Sequence, residues 1–455
     1  MASFTIKKGK DLRFDGTPEP VVQDAPTPEV VSVYPTEYTG IKFRLLVKEG
    51  DSVKRGTPLI FNKKNEAFKV VAPAAGTVQA IVYGKRRVLE RIEIKSNGSA
   101  DAETFPSYTA DSVCSASRDD LFNLLENTGY SALIKARPFS RPATPDQKPK
   151  SIFVNGMNTA PFSPDANVLI QGNETVFQIG LNALARLTEG KVHLCLDGAK
   201  SNHAALTGAK NVDVHTFTGP HPSGNTSVHI HHIDPISPND VVWTAKVADV
   251  ILIGQLLATG QIPPTRIVLV AGSGQAEGER KYFRIAHGAP LASILRKNPK
   301  HEAVRTISGD LLSGPIISET GAIQQLQHAY TLLHEDSTRH FLGWLAPGLN
   351  RFSLSRSYLS GWLKQKSIIT SGTNQNGELR AMVITGLYDR YMPMNIMTDF
   401  LIRAILARDA DEMIALGLLE TDPEDFALCA FACPSKMDLC GIVRKGLDQI
   451  EREGI

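Results

Sequence analysis

The sequence has no long apolar run. Its most hydrophobic stretch, 250–259 (VILIGQLLAT), follows Asp249 and closes at Gly260. That falls far short of the ~20 residues a bilayer span requires, so the chain is not expected to be integral to a membrane. It lacks an excess of either charge, with 49 Lys+Arg against 47 Asp+Glu and a net charge of +2. No segment carries the dense basic face that phosphate neutralisation needs, so no nucleic-acid partner is expected. Cysteine is scarce and odd in number, five in 455 residues. A disulfide framework is therefore not expected, and a reducing compartment is the default. The opening MASFTIKKGKDL has charge but no apolar core, so no secretory signal is read. A phosphate-cradling glycine loop is missing too. The stretch 128–138 (TGYSALIKARP) offers Gly129 alone among bulky side chains. Gly272, Ser273, Gly274 and Gly278 lack the fingerprint spacing and open no clear helix. A tightly bound FMN or NAD is not expected.

What is present divides the chain. Its length predicts roughly three domains, with four small ones also admissible. Residues 1–35 hold Pro18, Pro20, Pro26 and Pro28 and read as an extended arm lying on other domains. Residues 36–100 alternate short β-branched runs with turns at Gly50, Gly56 and Gly76. They resemble the barrel-sandwich hybrid of biotinyl and lipoyl carrier domains. Counted back from Pro73, the carrier position falls on Ala67, with Lys63, Lys64 and Lys69 off register, so no prosthetic group is expected there. Residues 101–262 alternate strands (151–157, 191–197, 211–217) with helices (119–127, 174–188, 241–257). That pattern implies a Rossmann-like α/β domain with a mainly parallel sheet. Within it, 130–150 is basic and broken by prolines. It reads as a solvated linker, or as a docking strip in which Arg137 and Arg141 meet a partner. Residues 263–325 open on the strand 266–271 (RIVLVA), include a helix at 290–297, and read as a β-grasp (SLBB-like) unit. Residues 326–455 are expected to be mainly helical, a C-terminal bundle. Asp422 and Pro423 start one helix, with Asp425 as the capping partner. Ser435 and Asp438 start the last, which ends near Gly454.

Chemistry could reside in three constellations. The first is 428–440, LCAFACPSKMDLC. Cys429, Cys433 and Pro434 match the end of a Cys-x2-Cys-x2-Cys-x3-Cys-Pro cluster site. Its two upstream positions hold Pro423 and Phe426, which cannot ligate iron. Cys440 lies seven residues past Cys433, outside the motif. The reading is a degenerate ferredoxin-like motif whose cysteines pack as small apolar residues on a helix. No metal is assigned. The second is 219–235, GPHPSGNTSVHIHHIDP. Read as a strand, it places His229 and His231 on one face and His232 on the other, too few convergent ligands for zinc. His221 and Gly224, with the Pro220/Pro222 turn, are candidates to line a ligand or partner contact. The third is 343–356, GWLAPGLNRFSLSR, where Trp344 and Phe352 either pack on a core or face a membrane partner.

These segments, with IKKGKDL (6–12), VKEGDSVKRGTPL (47–59), APAAGTV (72–78), YDRYMPMNI (388–396) and the closing IEREGI, resemble the NqrA family, the peripheral component of the sodium-translocating NADH:quinone reductase (Na+-NQR). The resemblance covers nearly the whole chain. It implies kinship with the flavin-binding component of complex I and with the RnfC component of the Rnf complex. It implies a peripheral position on the cytoplasmic face of the bacterial inner membrane. Its partners would be the other components of the complex, chiefly the membrane-embedded NqrB. Ubiquinone would be the substrate of the complex, whose reduction by NADH drives sodium export. The resemblance implies no cofactor bound by this chain. His221, Gly224, His229, His231, Trp344 and Phe352 remain candidate quinone or partner contacts. The alternatives are an iron–sulfur and flavin electron-transfer component, a soluble ligand-binding scaffold, and a biotin- or lipoate-carrying enzyme.

Overall fold

A computed structural model describes residues 2–454 except 337–340, 344, 350–351, 353, 355–357, 363–367, 370–371, 376 and 384. The N-terminal arm is built as strand edges. Ala2–Thr5 adds in parallel to Asp213–Thr218, Arg13–Phe14 pairs with Ile368–Ile369, and Val22–Asp24 pairs with Lys281–Ala286. Val30–Val33 then enters the barrel against Leu89–Ser96. Prolines between these strands keep the arm extended, and its short pairings satisfy backbone groups at edges that would otherwise be open.

The barrel joins a four-stranded and a three-stranded antiparallel sheet. Alternation within Leu89–Ser96 buries Ile92 and Ile94 against Leu59, Ile60, Phe68 and Val78. The hairpin between Pro58–Asn62 and Asn65–Val71 turns at Lys63 and Lys64. The expected carrier position needs correcting: Ala67 lies inside the second strand, and two lysines hold the tip.

The α/β domain carries a seven-stranded sheet. Its order is Ala2–Thr5, Asp213–Thr218, Lys191–Asp197, Ser151–Asn155, Val242–Lys246, Lys135–Arg137, Arg141–Pro142. The first five run parallel, and Lys135–Arg137 closes the sheet antiparallel to Val242–Lys246. The segment expected to be one helix over 241–257 is a strand followed by a helix, Val247–Thr259. VVWTA has the β-branched and aromatic residues of a strand, and the helix begins where Asp249 accepts a hydrogen bond from Lys246 N at 3.0 Å. The expected strand through the histidine run is likewise a helix, Thr226–Ile233. Its V-H-I-H alternation mimics a strand, but the chain here connects two parallel strands and must cross the sheet, which takes a helix. The basic loop 130–150 is exposed only at Pro145, Asp146 and Lys148, so it is packed on the fold rather than a solvated linker.

A six-stranded sheet follows, ordered Ile316–Ile317, Val304–Ser308, Ala329–His334, Thr265–Ala271, Lys281–Ala286, Val22–Asp24. Ala329–His334 belongs to it, so this sheet runs past 325. The expected helix at 290–297 reduces to the 3-10 turn Leu291–Ser293. Bridges from Pro290 to Ala322 and from Lys297 to Gln275 pull the flanks into extended backbone. Among the described residues of 326–455, α-helix begins only at Thr398–Ala407 and continues through Ala410–Ala415, Ala427–Ala432 and Leu439–Glu453. These helices share one core with Phe153, Cys195 and Phe217 of the α/β domain. Asp438 caps the last helix through Gly441 N. Ser435 instead donates to Ala381 O. No helix among the described residues is long and apolar enough to cross a membrane.

Candidate functional site at the switch point of the parallel sheet

Strands Ser151–Asn155 and Val242–Lys246 lie side by side, and Asn155 is in register with Lys246 at their C-terminal ends. The sheet builds outward from this pair in both directions. Such a reversal leaves a crevice beyond the strand ends, because the connecting helices fall on opposite faces. A cavity of about 220 Å³ opens there, lined by Asn155, Asn158, Lys246, Asp310, Gln327 and Glu424. A smaller one of about 30 Å³ shares Asn155, Lys246, Asp310 and Glu424 and adds His221, Gly224 and Asn225.

The GPHPSGN turn forms one wall, and the N-terminal arm fixes it. Asp11 accepts from His221 N at 2.9 Å, and Lys10 N donates to His221 O at 2.7 Å. His221 Nδ1 contacts Thr159 Oγ1 at 3.1 Å, and its buried Nε2 has no hydrogen-bond partner. Burial pushes this imidazole down to about 4, against the pull of Asp310 and Asp11, so it is neutral at pH 7. Gly224 is required for close approach. A Cβ there would meet Met157 O and Thr159 N, both at 2.7 Å. Asn155 Nδ2 donates to Gly224 O at 2.8 Å and ties the turn to the strand end.

The opposite wall is acidic. Asp422 and Asp425 flank Glu424 in the turn Pro423–Phe426, where Asp422 N donates to Asp425 at 2.7 Å. Burial first, then the carboxylates of Asp422 and Asp425, raise Glu424 well above the usual carboxylate range. The crevice therefore offers an ammonium group, amides, a neutral imidazole and a carboxyl that holds its proton more tightly than usual. That set suits a neutral polar ligand that accepts hydrogen bonds. It does not suit a dinucleotide. The first turn after Ser151–Asn155 has one glycine, Gly156, before the next helix starts at Ala166–Ile170. That helix is capped by the carboxylate of Asp165, where an anion would be repelled.

The other expected site residues do not converge on this crevice. His229 is 1% exposed, with Nε2 donating to Ser223 O at 3.0 Å and its ring 4.3 Å from that of Phe217. His231 contacts Glu420 through Nδ1 at 2.6 Å and accepts from Asn395 N at 3.3 Å, binding the α/β domain to the C-terminal helices. Phe352 is 43% exposed, its ring 6.0 Å from that of Phe431. Trp344 lies outside the described residues. Arg137 is 3% exposed and donates to Ser227 Oγ at 2.9 Å and Glu420 O at 3.3 Å. Arg141 pairs with Glu451 at 2.5 Å and Asp448 at 2.8 Å. Both arginines thus join the 135–142 hairpin to the C-terminal domain of this same chain.

Cys429 and Cys433 are fully buried. Cys433 Sγ contacts Tyr388 Oη at 3.0 Å, and Cys429 Sγ donates to Tyr388 O at 3.7 Å. Cys429 lies on the helix Ala427–Ala432. Cys433 is its extended C-cap, as a residue before proline should be. Burial pushes Cys440 up to about 12 and raises Cys429 further, so neither is a ready thiolate.

Sequence reasoning missed Lys246, Asp310 and Glu424. A strand reading of VVWTAK would have placed Lys246 at the sheet's C-terminal edge. Glu424 reads as a helix-start residue, and nothing local marks Asp310.

Three family models match the chain: the NqrA N-terminal barrel-sandwich hybrid domain over residues 4–97, the NqrA second alpha/beta domain over 116–262, and the NQRA C-terminal domain over 267–319. The chain is 39% identical to the NqrA component of the Na(+)-translocating NADH-quinone reductase of Pasteurella multocida (strain Pm70), over 99% of this chain and 100% of that one. It is 38% identical to the same component from Histophilus somni (strain 129Pt), over 99% and 100%. Against that of Neisseria meningitidis serogroup C (strain FAM18) the identity is 38%, over 99% of each. With barrel, α/β sheet and SLBB unit in the order these models describe, the chain belongs to the NqrA family of the Na(+)-translocating NADH-quinone reductase.

Proposed function

We propose that this chain is a cofactor-free peripheral component of a sodium-translocating NADH:ubiquinone reductase. It docks on the membrane components from the cytoplasmic side, chiefly on the membrane-embedded NqrB, and helps shape the site where ubiquinone is bound and reduced, a reaction coupled to sodium export. One observation carries the reading. Among the described residues, most of the large apolar side chains left exposed lie between Phe341 and Phe431. They include Phe341 at 94%, Trp362 at 71%, Val383 at 79% and Phe400 at 53%. A chain that folds alone rarely leaves so many large apolar side chains exposed along one stretch of its sequence, and a component of a larger complex has a use for them.

The crevice supports the quinone part of the reading. A quinone headgroup presents two carbonyl acceptors; Lys246 lines the crevice as a donor, and His221 Nε2, which has no hydrogen-bond partner, donates in its Nε2–H tautomer. The missing ligands at Pro423 and Phe426 and the buried thiols support the absence of a cluster. The competing reading, an electron carrier, draws on the proximity of Cys429 and Cys440, since Cys440 adds to the rise that burial gives the pKa of Cys429.

The test of docking is co-purification of the complex with Phe400→Ser or Trp362→Ser. Loss of this chain from the complex, with its isolated fold intact, is expected. Full retention by both variants would sink the assignment of this surface.

A further inference from the structure

We propose that His193, His215 and Asp213 form a binding site for one divalent transition-metal cation of the zinc type, at the N-terminal end of the parallel sheet and remote from the crevice. Strands Lys191–Asp197 and Asp213–Thr218 pair in parallel, with His193 in register with Asp213 and Cys195 with His215. Residues two apart on a strand share a face, so 193, 213 and 215 point to one side of the sheet. Their ligand atoms all lie within 4.8 Å of one another, the one such group of three among the described residues.

The two histidine nitrogens have the spacing of neighbours in a coordination shell, and Asp213 lies within reach of both. His193 Nδ1 and His215 Nε2 are 3.1 Å apart. Two nitrogens at about 2.05 Å from one zinc ion, at angles between octahedral and tetrahedral, sit roughly 2.9–3.4 Å apart. A cation would sit to one side of the line between the two nitrogens, so binding exchanges the hydrogen bond between the rings for two metal bonds and turns each ring toward the ion. His193 is 6% exposed, with its ring 4.8 Å from that of Phe153. Asp213, with a side chain 47% exposed, provides the way in.

A cation already competes for this carboxylate. Lys191 Nζ lies 2.9 Å from Asp213, on a side chain that is 72% exposed and so can swing into solvent. Two imidazoles and one carboxylate favour zinc, cobalt or nickel over magnesium or calcium, which take all-oxygen shells. Three protein ligands leave a fourth position for water or an outside ligand. His215 Nδ1 has no hydrogen-bond partner, so the orienting contact that tightens most zinc sites is missing on that side. Micromolar affinity is the expectation, rather than nanomolar.

The test uses the full chain, stripped with a chelator and titrated with ZnCl2 by calorimetry and with CoCl2 by visible absorbance at pH 7.5. One equivalent is expected to bind, giving cobalt d–d bands without thiolate charge transfer. Asp213→Asn, on a half-exposed side chain that tolerates change, and His215→Ala should each weaken binding by about tenfold or more. Lys191→Ala should tighten it several-fold, an effect a purely structural histidine pair would not produce. Absence of stoichiometric binding, binding indifferent to Asp213→Asn and His215→Ala, or thiolate bands assigning the cation to the cysteines would each overturn the site.

Discussion

His229 lies in the shared core with one ring nitrogen spent on Ser223 O and the other unpartnered. Burial pushes it down to about 3, below its ordinary value of about 6.5. Below pH 6.5 the unfolded chain takes up a proton that the folded chain refuses, so stability falls as pH falls toward 3. The loss is about 1.4 kcal/mol per pH unit for each such histidine, or about 2 kcal/mol at pH 5. His229→Gln retains a donor near Nε2 and does not titrate. Urea unfolding at pH 7.5 and pH 5 should show a loss of stability smaller in the variant by about that amount. Equal losses would contradict the assignment of His229 as a neutral core residue. His221 and His328, also held at about 4, keep part of the slope in both proteins.

Helix Val247–Thr259 crosses helix Glu174–Leu187 with glycine on both sides of the contact. A Cβ at Gly254 would lie 1.8 Å from Val176 O, and one at Gly180 would lie 2.4 Å from Val250 O. The backbones therefore touch, and Gly254→Ala must push the helices apart. A cost of about 2 kcal/mol or more is expected, read as a lowered denaturant midpoint; an unchanged midpoint would show that the helices can slide. At this scale much of the fold is legible in the sequence. Periodicity marks the helix at 174–188 and the strands at 151–157 and 191–197, because their patterns are long and unbroken. The histidine run and 241–257 mislead for a physical reason. In the histidine run, local alternation competes with a requirement of topology, that parallel strands be joined by a crossing helix; in 241–257, hydrophobicity runs without a break from the strand Val242–Lys246 into the helix Val247–Thr259 and hides the boundary between them. The helical character expected from 326 onward holds from Thr398 but not at Ala329–His334, which takes its conformation from two sheet neighbours distant in sequence. The crevice is half legible. His221 and Gly224 stand out by their turn chemistry, whereas Asp310 and Glu424 join them only through contacts between domains.

Across the whole molecule, the two arginines of the 135–142 hairpin serve as the joint between the α/β domain and the C-terminal helices. Their energetic weights should differ. Arg137 is buried beside Asp422, 3.9 Å away, and opposes the rise that burial gives the pKa of Asp425; its removal leaves Asp422 to Arg444 alone, 3.8 Å away, and Asp425 without its opposing charge, at a cost of about 3–5 kcal/mol. Arg141 is 24% exposed at its side chain and bonded to the exposed edge of the last helix, so Arg141→Ala should cost about 1 kcal/mol or less. Denaturation of the two variants checks this, and equal costs would contradict it. Weakened assembly of an Arg137 charge reversal would therefore report folding before it reported docking.

In the proposed function this chain works by assembly and by shaping a quinone site rather than by carrying electrons. An ultraviolet–visible spectrum with iron and flavin analysis, on the chain purified anaerobically, tests it most directly. A colourless protein with neither iron nor flavin is the predicted result. Broad absorbance in the iron–sulfur region with stoichiometric iron, or a flavin band, would contradict it and make Cys429, Cys433 and Cys440 ligands instead of core.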